Sequence, residues 1–230
     1  GVQAWAYEET GEGMRLLGDP QDITEYCNDG RLQWHAPLGK WLIAVLWECP
    51  VAERVTWDRG YYLDTMNPEA VNAFKAMAYE PYLRFKEDFG GTVKGIFTDE
   101  PGLMIHDGFF GVEAMRTTVE DPQGTLPGVI IAWTRDFLAR FQELKGYDLS
   151  SKLLYVLYGG TPEARKVRAD YYDALVTWYI DAYHGNLSGW AREHGIDYIG
   201  HTLEDPLWGA ARSQGNQIRV LECFDRPGLD

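Results

Sequence analysis

Positive charge is scarce in this chain of 230 residues: 21 Lys and Arg stand against 35 Asp and Glu, a formal net charge of −14. So acidic a surface repels phosphate backbones and anionic lipid headgroups, which argues against nucleic acid or a membrane surface as partner. A neutral substrate, or a divalent cation held by carboxylates, suits it better. Long apolar runs are missing too. No stretch of about 18 residues is apolar enough to span a bilayer, and Gly1 to Gly13 shows neither the basic start nor the apolar middle of a signal peptide. Location is left open by this, cytoplasmic or exported. Cysteine is sparse: Cys27, Cys49 and Cys223 are odd in number, widely spaced and without a CxxC pattern, so neither a disulfide framework nor a zinc site is expected. Glycine-rich phosphate cradles of the GxGxxG or P-loop type do not occur, and there is no GxSxG elbow or catalytic Cys–His pattern.

Aromatic side chains, by contrast, are plentiful. Nine Trp, fourteen Tyr and nine Phe make 14% of the chain. Such rings fill cores, and exposed ones stack on the apolar faces of sugars. The first sixty residues read as a small β-rich segment. Val2 to Tyr7 alternates, Asn28-Asp29-Gly30 is a turn signal, Leu32-Gln33-Trp34 alternates again, and Trp41 to Trp47 is a strong strand.

From residue 61 onward strands alternate with long helices. Asn67-Pro68-Glu69 combines a cap, a proline at the first helical position and an acid in the first turn. Val71, Phe74, Met77, Leu83 and Phe85 form its stripe, and Gly90-Gly91 ends the segment. Val93 to Thr98 reads as a buried strand, followed by a loop of roughly 30 residues, long enough to suggest function. Thr134 is expected to cap a second helix bearing Phe137, Leu138, Phe141 and Leu144, closed by Gly146. Thr161-Pro162-Glu163 opens a third, which runs to His194 and Gly195 with Tyr171, Leu175, Tyr179, Tyr183 and Trp190 on one face. Ile196 to Gly200 and Ile218 to Leu221 are read as further strands. The alternation implies α/β architecture with a parallel sheet. The expected fold is a (β/α)8 barrel, partial or complete, preceded by the small antiparallel β segment. Since a complete barrel takes about 250 residues, the chain is expected to be part of a longer polypeptide.

Parallel sheets build their sites at the carboxyl ends of their strands. On this reading three strands deliver acids or His to one rim: Asp99 and Glu100 after the first, His201 with Glu204 and Asp205 after the second, Glu222 and Asp225 after the third. Glycoside hydrolysis needs two carboxyls, one protonating the leaving oxygen and the other activating water or attacking the sugar. Glu100 and Glu222 are the candidate catalytic pair, and Asp99, His201, Glu204 and Asp64 the candidate substrate-binding residues. Four of them have a plainer reading: Asp64 and Asp99 as caps or supports, His201 as a satisfied core histidine, and Glu100 as a cap or solvated turn. His194, at a helix end, is explained by the helix dipole.

The run Gly95-Ile96-Phe97-Thr98-Asp99-Glu100-Pro101 resembles a signature of the α-L-rhamnosidase-like glycoside hydrolases, the family 106 group. Asp22-Ile23-Thr24, Gly30 to Trp34, Gly39-Lys40-Trp41, Asn67 to Val71, Trp133-Thr134, Gly146-Tyr147-Asp148, Gly200-His201 and Glu222 with Pro227 to Asp230 are similar in turn. The resemblance implies a (β/α)8 barrel, acid catalysis at its rim, and calcium dependence. It departs at one point: those enzymes carry Asp-Ser-x-Glu, whereas Gly102 stands here in the Glu position. Either Glu100 takes that role from a shifted position, or the substrate is another sugar. A non-catalytic carbohydrate-binding or structural barrel module is the alternative.

Overall fold

The computed structural model describes residues 1–11, 13–48, 62–103, 131–158, 160–202 and 214–228. Among them the strands are β1 (Val2–Thr10), β2 (Gly13–Leu16), β3 (Gln21–Asp22), β4 (Cys27–Asn28), β5 (Arg31–Leu32), β6 (Lys40–Val45), β7 (Gly95–Asp99), β8 (Asp197–His201) and β9 (Arg226–Pro227). The α-helices are α1 (Pro68–Ala78), α2 (Phe137–Lys145), α3 (Pro162–Tyr179), α4 (Gly185–Glu193) and α5 (Gln217–Leu221). The chain is therefore mixed α/β, and among the described residues its sheets do not close into a barrel. No described helix is long and apolar enough to cross a membrane. The chain packs as two compact units, Gly1–Cys49 with Asp136–Tyr171, and Pro50–Arg135 with Tyr172–Asp230. The domain boundary expected at residue 60 falls outside the described residues.

The first unit is built on β1, which pairs antiparallel with β6 from Val2↔Val45 to Tyr7↔Lys40, and on its other edge with β2 and β3. Val2, Ala4 and Ile23 form a small core with Cys27, Trp34 and Trp41 packed on it. Trp5 is fully buried and meets Tyr155 edge-on at 5.3 Å. The Asn28-Asp29-Gly30 signal makes the expected hairpin: Asp29 (φ 50°) and Gly30 (φ 73°) are both left-handed, the backbone a tight two-residue turn requires. In α2, Phe137 and Phe141 are buried and Gly146 closes the helix at φ 79° as read, but Leu144 is exposed. The first residue of that helix follows Asp136, which is left-handed, so Thr134 is not its cap. The Thr134 hydroxyl instead donates to the Asp64 carboxylate at 2.7 Å, a charge-assisted bond stronger than a cap bond to a neutral amide.

In the second unit Asn67 caps α1 as expected, its side chain accepting from the Glu69 amide. The helix stops earlier than the apolar stripe suggested. Pro81 has no amide hydrogen and would clash with the Met77 carbonyl in a continued helix, and the chain tightens into a 3-10 segment, Glu80–Asp88. Of the expected stripe, Met77 within α1 and Phe85 in the 3-10 segment are exposed. The long helix opened by Thr161 is present, its start belonging to the first unit and its course from Tyr172 to the second, with Thr161 Oγ1 accepting from the Ala164 amide. Its course is α3, one π-helical turn (Ile180–His184) and α4, ended by left-handed Gly195.

β7 and β8 pair in parallel, Gly95↔Asp197 through Asp99↔His201, as their alternation with helices implied. The third expected strand is wrong. Ile218 to Leu221 lies in α5, whose start is set by Asn216 accepting from the Arg219 amide. Gln217 bonds Thr202 just past the carboxyl end of β8, while Cys223 and Asp225 meet Arg192 and Tyr198 at the other end. So α5 is the return helix of a β8–α5–β9 crossover, and β9 is the parallel strand, Gly200↔Pro227. Three apolar residues around Arg219 cannot by themselves distinguish a strand from a short helix.

Two glycines make the close pairing possible. A Cβ on Gly200 would lie 2.1 Å from the Thr98 carbonyl oxygen and 2.9 Å from the Phe224 ring, and one on Gly95 2.4 Å from Ile199. Gly200→Ala should lower the stability by about 3 kcal/mol, read from urea denaturation. His184 supplies a pH test. It is buried, donates to or accepts from Tyr198 through Nδ1 at 3.1 Å, and burial pushes its pKa from 6.5 down to about 3. The unfolded imidazole gains a proton as the pH falls below 6.5 and the folded one does not, so acid favours unfolding. Stability should fall between pH 6.5 and about 3, by at most about 1.4 kcal/mol per pH unit. Denaturation midpoints across that range should decline less steeply in His184→Gln.

Candidate active site

The parallel register decides which groups meet. Because Asp99 stands opposite His201, both side chains emerge on the same sheet face at the carboxyl ends of their strands. His201 Nε2 lies 3.2 Å from Asp99 Oδ1, and its Nδ1 lies 4.0 Å from Glu100 Oε1 and 3.3 Å from the Thr202 carbonyl. The imidazole therefore sits between two carboxyl groups. Its own side chain is only 9% exposed, whereas Asp99 is 76% and Glu100 34% exposed. One buried nitrogen base flanked by two accessible acids can hold, pass or accept a proton at the rim.

Glu100 has an unusual backbone. Its φ is +42°, left-handed, which costs a residue with a Cβ about 1 kcal/mol or more. The next residue is Pro101, whose ring further narrows the conformations open to Glu100. Such strain persists where surrounding structure enforces it, and it concentrates at functional sites. Here the turn takes the chain off β7 and leaves the Glu100 carboxyl beside His201 instead of continuing the strand.

The remaining candidates sort differently. Asp64 lies in the same unit, but its oxygens accept from the Met66 amide at 3.2 Å and from Thr134, the supporting role weighed for it. Glu222 is not brought to this rim. It ends α5, is exposed, and precedes β9. Asp225, three residues later, is level with Tyr198. Tyr198 is three residues before His201, which at ~3.3 Å per residue puts Asp225 about 10 Å toward the opposite end of the sheet. The premise that a strand carries Glu222 to the site fails, since that strand is a helix. Asp225 is a structural acid: burial works to raise its pKa, but the Tyr198 amide and Arg192 prevail and hold it low. Glu204 and Asp205, like most of the long loop after Gly102, lie outside the described residues. His194 bonds the Trp190 carbonyl at the end of α4, in keeping with its helix-end reading.

Calcium needs six to eight oxygen ligands. Among the described residues no group of three or more His, Cys, Asp or Glu side chains could hold a metal ion. The described rim does not fit the ion, and no step below uses it.

Sequence reasoning overlooked Phe97. It lies on β7 two residues before Asp99, is 57% exposed, and its ring centroid is 5.6 Å from that of His201. On a strand read as buried, Phe97 counts as a core residue; an aromatic two residues before an acid, on the same face in period-two structure, is the available signal. Comparison with family models, curated proteins and solved structures finds no match to this chain.

The strain at Glu100 is directly testable. Glu100→Gly should raise the stability by about 1 kcal/mol, because glycine adopts the left-handed backbone without penalty. Thermal denaturation of this variant beside the parent chain measures it.

Proposed function

We propose that the chain belongs to a (β/α)-barrel glycoside hydrolase of the rhamnosidase-like kind, with Glu100 as a catalytic carboxyl at the rim. The observation that carries this reading is the strained Glu100 at the end of a parallel strand, its carboxyl facing His201. Glu100 protonates the glycosidic oxygen as the bond to the anomeric carbon breaks, the task of a general acid. Asp99 orients His201, and His201 holds the sugar hydroxyls and the Glu100 carboxyl in place. The second carboxyl, which activates water or attacks the anomeric carbon, falls to Glu204, three residues after His201 in sequence, in place of Glu222. The acidic, neutral-substrate character of the chain and its wealth of aromatic residues support a carbohydrate. The parallel β7–β8–β9 arrangement with its return helix is the repeating unit of a barrel wall, which supports the finer fold reading.

A carbohydrate-binding module without turnover is the second reading. Phe97 favours it: an exposed ring on the site face offers a stacking platform whether or not chemistry follows. Hydrolysis of a panel of aryl glycosides and plant oligosaccharides, with calorimetric titration of the same sugars, separates the two. On the enzymatic reading Glu100→Gln stays folded and loses at least about 10² in rate. Hydrolysis that survives this substitution would move the acid elsewhere, and sugar binding without any turnover would favour the module.

A further inference from the structure

Glu100 is followed by two residues whose backbone has no strand partner, and every polar group of that backbone is nevertheless satisfied. Pro101 has no amide hydrogen. Its carbonyl accepts from the Tyr179 hydroxyl at 2.5 Å. The Gly102 amide donates to the Tyr62 hydroxyl at 2.9 Å, and the Gly102 carbonyl accepts from Thr65 Oγ1 at 2.9 Å. Three hydroxyls, two from the segment before α1 and one from the long helix, thus occupy all three groups. On the other side of Glu100, Thr98 Oγ1 bonds the Tyr183 hydroxyl at 3.2 Å. Tyr179 and Tyr183 are one helical turn apart with their rings stacked at 5.9 Å, so one helix face grips the chain just before and just after Asp99-Glu100.

We infer that Tyr179, Tyr62 and Thr65 form a hydroxyl clamp that holds Glu100 in its left-handed conformation and so positions its carboxyl against His201. The alternative is a plain core polar network, in which hydroxyls merely satisfy buried backbone. Three features favour positioning. The clamp acts on the two residues directly after the strained one and satisfies them completely. Its central member, Tyr179, is fully buried, and burial keeps the phenol of both Tyr179 and Tyr183 protonated, hence a constant donor. And the helix carries a π-turn next to Tyr179, a distortion frequent at functional sites. The clamp residues touch no reacting atom. They are positioning residues, and their assignment rests on the glycosidase reading only for its kinetic consequence.

The test uses Tyr179→Phe, which keeps the ring and removes one hydroxyl, with Tyr155→Phe as control. Tyr155 is also a largely buried tyrosine, bonded through its hydroxyl to the Gly18 carbonyl in the first unit. If the full-length protein hydrolyses a glycoside, Tyr179→Phe should lower kcat about 10- to 100-fold with KM nearly constant, and Tyr155→Phe should leave both unchanged. Wild-type kcat in a folded Tyr179→Phe protein overturns the clamp while leaving the glycosidase reading intact. If no sugar is hydrolysed, that reading falls, and the clamp is judged from the imidazole 15N resonances of His201, assigned with His201→Gln. These should move in Tyr179→Phe and stay put in Tyr155→Phe; unmoved resonances in Tyr179→Phe overturn the clamp. Should Tyr179→Phe fail to fold, Thr65→Val and Thr65→Ser replace it. The serine variant should restore the wild-type kcat or His201 resonances that the valine variant loses, and equal behaviour of the two refutes the inference.

Discussion

β7 and β8 pair with no room for a Cβ at Gly95 or at Gly200. The space beside Gly200 is filled by the Thr98 carbonyl on one side and the Phe224 ring on the other, and the space beside Gly95 by Ile199. With no Cβ at either place, the two strands settle into a single register along five pairs. Because side chains alternate with a period of two, a slip of one residue would turn Asp99 and His201 to opposite faces and bring Asp99 level with Gly200 or Thr202. The proximity of acid and imidazole thus depends on two glycines that contribute no side chain to it.

That register also fixes what lies behind the strands. Thr98 and Tyr198 face the long helix, where Tyr183 bonds the first and His184 the second. Tyr198 stacks flat on Phe224, at 4.8 Å and an angle of 2°. Buried phenols are stable only when their hydroxyls find partners, and here Tyr179 and Tyr183 bond the turn and strand that shape the rim, while Tyr198 on β8 bonds His184 on the helix. Burial raises these phenols well above their ordinary pKa, so all three stay protonated across the physiological range. One face of the sheet carries chemistry, and the other carries the hydrogen bonds that keep it still.

Local signals in the sequence were sound where the physics is local. Asn67 before Pro68, Thr161 before Pro162, Gly146 after α2 and the Asn28-Asp29-Gly30 turn all act within a few residues, and all appear as read. Readings failed where a neighbouring signal outranked periodicity. Pro81 cut a stripe that continued past it, and Asn216, capping α5, set Ile218 to Leu221 in a helix and moved Glu222 away from the rim. The site was half legible. Asp99, Glu100 and His201 follow from the rule that parallel strands carry chemistry at their carboxyl ends. The left-handed Glu100 and its surroundings do not, because Tyr62, Thr65 and Tyr179 meet the Pro101–Gly102 backbone only through tertiary hydrogen bonds.

The π-turn explains how one helix serves two strands. In a regular α-helix, positions five apart lie about 140° apart around the axis, so His184 would point well away from the face carrying Tyr179. Closing the turn with i→i+5 bonds brings residue 184 over residue 179, and the two rings meet edge-on at 4.6 Å. Tyr183, four residues on from Tyr179, remains beside it. Three consecutive contacts then fall on one side: Tyr179 to Pro101, Tyr183 to Thr98, His184 to Tyr198. Gly185 completes the arrangement, since a Cβ there would press to 3.1 Å from the Ile180 carbonyl oxygen. The weaker hydrogen bonding of a π-turn is offset by these contacts. Without the extra residue, the helix could grip the end of β7 or pack against β8, but its side chains would not reach both.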